Sequence, residues 1–133
     1  MFPRIREITN SLGERLRVSI EEHPSGALIV LERPDKADRP RLLLDGYGAD
    51  ILSGFIMSAR LAVPHGMPDE QIDGLFATQF ELHTGSAATI MMRQNDGARF
   101  ELAAPFWDRL YAELCLIAAH ARAITHRGDA RVH

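Results

Sequence analysis

The sequence contains few of the residues that cross-link small proteins or recognise phosphates by charge. Cys115 is the only cysteine among 133 residues, so no disulfide can form within the chain. Lys36 is the only lysine. The chain is long enough to bury one hydrophobic core without a disulfide or a metal. We therefore expect one domain, and we interpret Cys115, which lies in an apolar tetrad, as a small buried residue and not as a nucleophile.

No charge of one sign dominates, and no apolar run is long. The formal net charge is −3 and the pI is about 6.0, which gives no general attraction to nucleic acid or to acidic membranes. The longest apolar stretch, residues 110–124, is interrupted by Glu113, His120 and Arg122 and is too short to span a bilayer. The first residues lack the apolar segment of a signal peptide. We therefore expect a cytoplasmic protein.

Hydrophobic spacing predicts five elements in the first half of the chain. Ile5, Ile8 and Leu12 recur at helical spacing, and Pro3 suits the first turn of a helix. Alternating and apolar runs predict strands, two of them joined as a hairpin by a turn at 23–26. The predicted elements are a helix at 3–13, strands at 16–21, 27–31 and 41–45, and a helix at 48–62.

The second half of the chain gives a similar series. The predicted elements are one helical turn at 69–74, strands at 76–83, 87–93 and 99–103, and a helix from Pro105 to about Thr125. The Asn-Asp-Gly sequence at 95–97 is the strongest hairpin signal in the chain. Residues 126–133 are expected to form a disordered tail.

The order strand, strand, strand, helix occurs twice, over about residues 14–63 and 75–125. Matching residues accompany it: Glu21 and His23 in the first copy correspond to Glu81 and His83 in the second. We therefore predict a single α+β domain over residues 1–125, built from a duplicated (β3α)2 unit after a short N-terminal helix. Antiparallel sheet should be covered by the two long helices.

Gly46 and Gly48 lie between a predicted strand and a predicted helix, where glycines often cradle a phosphate. Their spacing with Gly54 fits neither the dinucleotide-binding pattern nor the P-loop. The corresponding junction of the second copy, residues 102–108, contains no glycine. We therefore predict turn glycines at positive φ, with Asp50 near the helix N-terminus, and no bound nucleotide or other cofactor.

Glu81 and His83 share one face of a strand, as do Glu21 and His23. A carboxylate and an imidazole on one face can hold a metal or move a proton. No third ligand has a recognisable spacing, and these residues alternate with the apolar set, so we interpret them as facing solvent. We predict no metal site and no catalytic residue, and an enzyme without a recognisable motif stays an alternative.

The last predicted helix is apolar on most of its sides. Leu110, Leu114 and Ile117 form one stripe, but further apolar residues surround the helix, and one sheet covers only one face. We therefore predict a homodimer in which this helix contacts the second subunit. The predicted interface residues are Trp107, Tyr111, Leu116, Ala119 and Ala123.

Two resemblances in outline suggest functions. The repeated strands followed by a helix are similar to Whirly and Pur-type single-stranded nucleic-acid-binding proteins, whose units have four strands. The element order, small size and acidic balance also look like type III secretion chaperones, which are dimers that hold partner proteins. The strand phenylalanines occupy core-facing positions, which disfavours base stacking. The preferred hypothesis is a non-catalytic protein-binding adaptor or chaperone-like homodimer, and the alternative is a single-stranded nucleic-acid-binding protein.

Overall fold

The computed structural model describes the backbone of residues 5–24 and 26–132, and side chains up to His120 except that of Ala118. Within these residues the chain forms eight β-strands and two α-helices. The first set is β1 (Ile5–Thr9), β2 (Arg15–His23), β3 (Gly26–Glu32), β4 (Arg41–Leu44) and α1 (Gly46–Ala62). The second set is β5 (Glu70–Ile72), β6 (Thr78–His83), β7 (Thr89–Gln94), β8 (Arg99–Ala103) and α2 (Trp107–Val132). A 3-10 turn, Ala104–Phe106, precedes α2.

The strands form two four-stranded antiparallel sheets, β1-β2-β3-β4 and β5-β6-β7-β8, each followed by a helix. The predicted α+β class is confirmed, and so are the two predicted hairpins. In the first, His23 lies opposite Gly26. In the second, the Gln94 amide donates to the Ala98 carbonyl at 2.9 Å, and Gly97 has a φ of +93°, which glycine adopts without strain.

The predicted N-terminal helix is wrong, because residues 5–9 form the edge strand β1. The Asn10 side chain stabilises the turn that follows, accepting hydrogen bonds from the backbone amides of Leu12 and Glu14 at 3.0 Å each. Thr9 lies opposite Arg15, so the chain reverses within this turn. Ile8 is buried in the core. Pairing with β2 and burial of Ile8 outweigh the helical spacing of a short segment.

The predicted helical turn at 69–74 is also wrong. Residues Glu70–Ile72 form β5, in which Ile72 lies opposite Thr78 and is buried. Gly74 has a φ of +109° and lies in the connection to β6. Each sheet therefore has four strands where three were predicted, and the first begins at Ile5, outside the predicted repeat.

The hydrophobic core lies where the helices meet the sheets. The two helices pack against each other, and α1 also contacts β3 and β4 of the first sheet and β6 of the second. The rings of Phe55 on α1 and Phe80 on β6 are 5.8 Å apart. Helix α2, which follows the second sheet, contacts β1, β2 and β3 of the first. Each helix thus reaches the other half of the chain, and burial of apolar surface between the halves holds them in one unit.

One side chain completes the edge of β4. The Gln94 Nε2 donates to the Leu43 carbonyl at 2.6 Å and to the Thr78 hydroxyl at 3.0 Å, and the Leu43 amide donates to Gln94 Oε1 at 3.4 Å. A side-chain amide therefore takes the place of a neighbouring strand on an edge that would otherwise expose its backbone groups. This contact joins the two sheets.

Helix α2 differs from its predicted bounds at the C-terminal end. It extends to Val132, past the predicted end near Thr125, and therefore includes most of the segment that was expected to be a disordered tail. Pro105 lies in the 3-10 turn before the helix, a position that suits a residue without an amide hydrogen.

Candidate interaction surface

The junction between β4 and α1 is a capped helix start. Asp45 is the N-cap, and its Oδ1 accepts a hydrogen bond from the Gly48 amide at 2.7 Å. Gly46 and Gly48 lie in the first helical turn, so the predicted positive φ at these positions is wrong. A Cβ on Gly48 would lie 3.1 Å from Leu44 Cδ2 and 3.2 Å from Ile72 Cδ1. Glycine is used here because Leu44 and Ile72 pack closely on the helix, and the Asp45 carboxylate lies where a phosphate would have to bind.

The junction between β8 and α2 is built with aromatic side chains. The Trp107 Nε1 donates to the Leu102 carbonyl at 2.9 Å, and Trp107 is only 4% exposed. Phe106 is fully buried. Trp107, one of the predicted interface residues, therefore lies in the core of the chain.

The outward face of α2 carries small and apolar side chains. Leu110, Leu114 and Ile117 are fully buried and define the side of α2 that faces the core. We call the small and apolar members of the exposed set, Ala112, Cys115, Leu116 and Ala119, the α2 outer face; Asp108 and Arg109 near the start of the helix are also exposed. Leu116 is its one large side chain and is 53% exposed.

The other candidate residues of α2 differ in position. Tyr111 is half-buried against the core, whereas Ala119 is exposed, and the side chain of Ala123 lies outside the described residues. Cys115 is exposed, so its predicted burial is wrong. Successive helical residues differ by about 100°, and the position next to buried Leu114 therefore faces outward.

Charged residues beside the α2 outer face bind within the chain. Arg6 on β1 contacts Glu113 at 3.0 Å (Nε to Oε2) and 3.1 Å (Nη2 to Oε1). Arg60 of α1 contacts Asp108 of α2 at 2.9 Å. These ion pairs fix α2 against the first sheet and α1.

Glu81 lies close to both His83 and Arg93 on the second sheet. Glu81 Oε2 is 3.6 Å from both His83 Nε2 and Arg93 Nε. The Glu81 side chain is 18% exposed and that of His83 49%, so the expected solvent-facing position fits His83 better than Glu81. No group of three histidine, cysteine or acidic residues among the described side chains could hold a metal ion. In the first sheet, Glu21 binds Arg41 and the His23 ring lies 5.9 Å from that of Phe76.

The ion pair between Arg41 and Glu21 crosses the solvent side of the first sheet. Glu21 lies opposite Leu28, and Arg41 lies opposite Glu32. Val30 lies between Leu28 and Glu32 on the same face of β3, and it is fully buried. The ion pair therefore covers apolar surface, and Arg41 is already neutralised by a carboxylate.

Strand residues needed for single-stranded nucleic-acid binding are used in other ways. Arg15 and Arg93 bind Glu7 and Glu81, and the phenylalanines Phe80 and Phe100 are fully buried. Binding of single strands usually combines free cationic groups with exposed aromatic rings. These four strand residues are therefore engaged within the chain, whereas Arg99 on β8 is exposed.

Arg33, directly after β3, is buried and forms a cluster of polar contacts. Its Nε donates to the Arg15 carbonyl at 2.8 Å, and its Nη2 donates to Asp35 Oδ2 at 2.9 Å and to Glu14 Oε2 at 3.2 Å. The guanidinium lies over the Phe106 ring at 5.1 Å. Hydrogen bonds from Arg33 lower the pKa of Asp35 to about 2, and the hydrogen bond to Asp35 raises the pKa of Arg33. The cluster ties the first sheet to the start of α2.

Comparison with protein-family models and with curated protein sequences finds no match to this chain. Among the described residues, none of the helices has the length and apolar character to cross a membrane.

Proposed function

We propose that the protein is a cytoplasmic homodimer that binds a partner protein, with the two copies joined through the α2 outer face. The exposed Leu116, set among alanines on a helix whose opposite side is fully buried, is the observation that carries this proposal. An accessible free thiol at Cys115 is compatible with a reducing compartment.

The spacing of the α2 outer face suits helix pairing. Ala112, Leu116 and Ala119 are separated by four and then three residues, the spacing of a coiled-coil seam. Alanine lets two helices approach closely, and in an antiparallel pair Leu116 of one copy can pack on Ala119 of the other. Burial of about 400 Å² of apolar surface per copy would contribute about 10 kcal/mol for each copy before the cost of association.

The test is the mass of the protein in solution. Light scattering of the purified chain at micromolar concentration should give a dimer, and Leu116→Glu should give a monomer, because a carboxylate cannot be buried unpaired in the seam. The matched control is Leu61→Glu, since Leu61 is 86% exposed on α1 and outside the seam. Wild-type protein that is still monomeric at about 100 µM would refute the dimer, because its dissociation constant would then be weaker than that concentration.

A thiol cross-link gives an independent reading of the same contact. Cys115 is adjacent to Leu116 and is the only cysteine of the chain, so a short bis-maleimide should join two wild-type copies but should not join copies of Cys115→Ser. Leu116→Glu should abolish cross-linking while leaving Cys115 able to react with a monofunctional maleimide. Cross-linking of Leu116→Glu at the wild-type rate would place the contact elsewhere.

The strand count favours a second candidate, a single-stranded nucleic-acid-binding protein. Two units of four strands and a helix have the unit size of the Whirly and Pur-type proteins, and such duplication is part of this alternative. The ion pairs of Arg15, Arg41 and Arg93 and the burial of Phe80 and Phe100 weigh against it. Fluorescence anisotropy with a labelled oligonucleotide distinguishes the two hypotheses. Binding of the oligonucleotide that weakens steeply as the salt concentration rises would favour the nucleic-acid-binding protein over the protein-binding dimer.

A further inference from the structure

A groove runs between α1 and the segment that enters β5. Its volume is about 230 Å³. Its lining consists of the apolar Ile51, Phe55 and Met67, which we call the apolar floor, the small Gly54 and Ser58, and the acidic Asp50 and Glu70. This volume is below the range of about 300–1,000 Å³ typical of cofactor and small-molecule pockets, so the groove suits one or two side chains of a protein segment.

Packing within the chain does not explain why residue 54 is a glycine. It lies in the middle of α1 and is exposed, and a Cβ at this position would meet no atom within 4 Å. Gly48 of the same helix, in contrast, is crowded by Leu44 and Ile72. Glycine in a helix interior is less stable than alanine. The space left by Gly54 opens the groove wall, which is what an entering side chain requires.

In the described part of the chain, the groove is lined by acidic and not by basic residues, which favours a positively charged occupant. Glu70 lies on the short edge strand β5 and is exposed, and none of the described residues that line the groove is basic. A carboxylate beside an apolar floor attracts a segment in which an aliphatic side chain adjoins an arginine or lysine.

We propose that this groove docks an apolar-basic segment of the partner protein, with the aliphatic side chain on Phe55 and Ile51 and the cationic group on Glu70. The proposal rests on the proposed function in that the occupant belongs to a protein. It does not depend on the dimer, because the α2 outer face does not line the groove.

The direct test is an NMR titration of ¹⁵N-labelled protein with three short capped peptides. The probe is acetyl-Gly-Leu-Arg-Gly-amide, and the controls replace arginine by glutamate or leucine by glycine. The probe should cause saturable shifts of the Ile51, Gly54 and Glu70 amides with a dissociation constant near 1 mM, about the affinity expected of so few contacts. Each control peptide should bind at least about fivefold more weakly. Absence of shifts at millimolar probe, or equal binding of all three peptides, would overturn the proposal.

Two variants test the groove residues. Gly54→Ala should raise Tm by about 2–5 °C, because alanine favours the helix, and should weaken probe binding about fivefold or more by narrowing the groove. Gly46→Ala is the matched control, since it adds the same methyl group to the same helix where nothing lies within 4 Å and should leave binding unchanged. Unaltered binding by Gly54→Ala would refute the role of this glycine.

Glu70→Gln should weaken binding of the probe but not of the arginine-to-glutamate control peptide, whereas Glu101→Gln, which changes a carboxylate outside the groove, should affect neither. Probe binding by monomeric Leu116→Glu separates this proposal from the dimer. Loss of the groove shifts in that variant would make the groove dependent on a second copy and would contradict docking within one chain.

Discussion

The two strand-to-helix junctions of this protein are built with different kinds of side chain, glycine and a capping aspartate in one and buried aromatic residues in the other. Between β4 and α1 the Asp45 carboxylate caps the helix, and Gly48 allows Leu44 and Ile72 to pack against it. Between β8 and α2 the ring of Trp107 is buried and its Nε1 bonds to the Leu102 carbonyl. One junction therefore depends on the absence of a side chain, and the other depends on the largest side chain available.

This difference explains why glycine between a strand and a helix is weak support for a phosphate site. A phosphate site uses helix N-terminal amides that are free to donate to the ligand. At α1 the Gly48 amide already donates to Asp45, and the glycine is explained by its close neighbours. The second junction shows that the chain enters a helix at the same point of the sheet without any glycine.

Of the substitutions that test this comparison, one in the aromatic junction should change the free energy of unfolding most. Trp107→Ala removes a buried ring together with its hydrogen bond to Leu102, and we expect a loss of about 3–5 kcal/mol in the free energy of unfolding. Tyr47→Ala, at an aromatic residue of the first junction that is 64% exposed, should change it by less than about 0.5 kcal/mol. Urea denaturation measures both variants.

The same variants test whether Trp107 is a core residue or an interface residue. If Trp107 acts within the chain, the loss should be independent of protein concentration and should also appear in the monomeric Leu116→Glu background. If Trp107→Ala causes no loss in the free energy of unfolding in that background, Trp107 contributes to the dimer interface, as its apolar character predicts.

The glycine junction should give a smaller effect of steric origin. Gly48→Ala places a Cβ within about 3.1–3.2 Å of Leu44 and Ile72, and we expect a net loss of about 1–2 kcal/mol after the gain in helix propensity. Gly46→Ala has open space and should be neutral or slightly stabilising. Equal stability of the two variants in thermal denaturation would contradict the close-packing explanation. Because these glycines are explained without a phosphate, we expect no nucleotide binding that depends on either of them.

Hydrophobic alternation predicted the strands because it reports which face is buried. Leu16, Val18 and Ile20 are buried on β2, as their spacing indicates, and Phe80 and Phe100 are buried on the second sheet. Alternation fails for short edge strands such as β1 and β5, since each has a single buried residue, Ile8 and Ile72 respectively. The tertiary pairing that decides their structure joins residues distant in sequence.

The polar contacts were less predictable than the core. An aspartate before a helix is a known capping signal, so Asp45 was within reach of the sequence and was missed because the helix start was placed at Gly48. No local pattern predicts that the Gln94 amide will pair with Leu43 of another sheet. The role of Arg33 likewise depends on Glu14 and Phe106, which the fold brings to it.

The smallest effect concerns the contact that links the first sheet to the second junction, in which Arg33, directly after β3, lies over Phe106. The pKa of Asp35 is lowered from 3.8 to about 2 by hydrogen bonds from Arg33. A lowered pKa stabilises the fold above the unfolded value of 3.8, and this contribution is lost as the pH falls through about 2. Allowing for the 21% exposure of the Asp35 side chain, we expect Asp35→Asn to cost about 1 kcal/mol at neutral pH. The difference in the free energy of unfolding from wild type should shrink between pH 4 and pH 2. A difference in the free energy of unfolding that stays constant across this pH range would show that the Asp35 carboxylate does not hold Arg33 over the second junction.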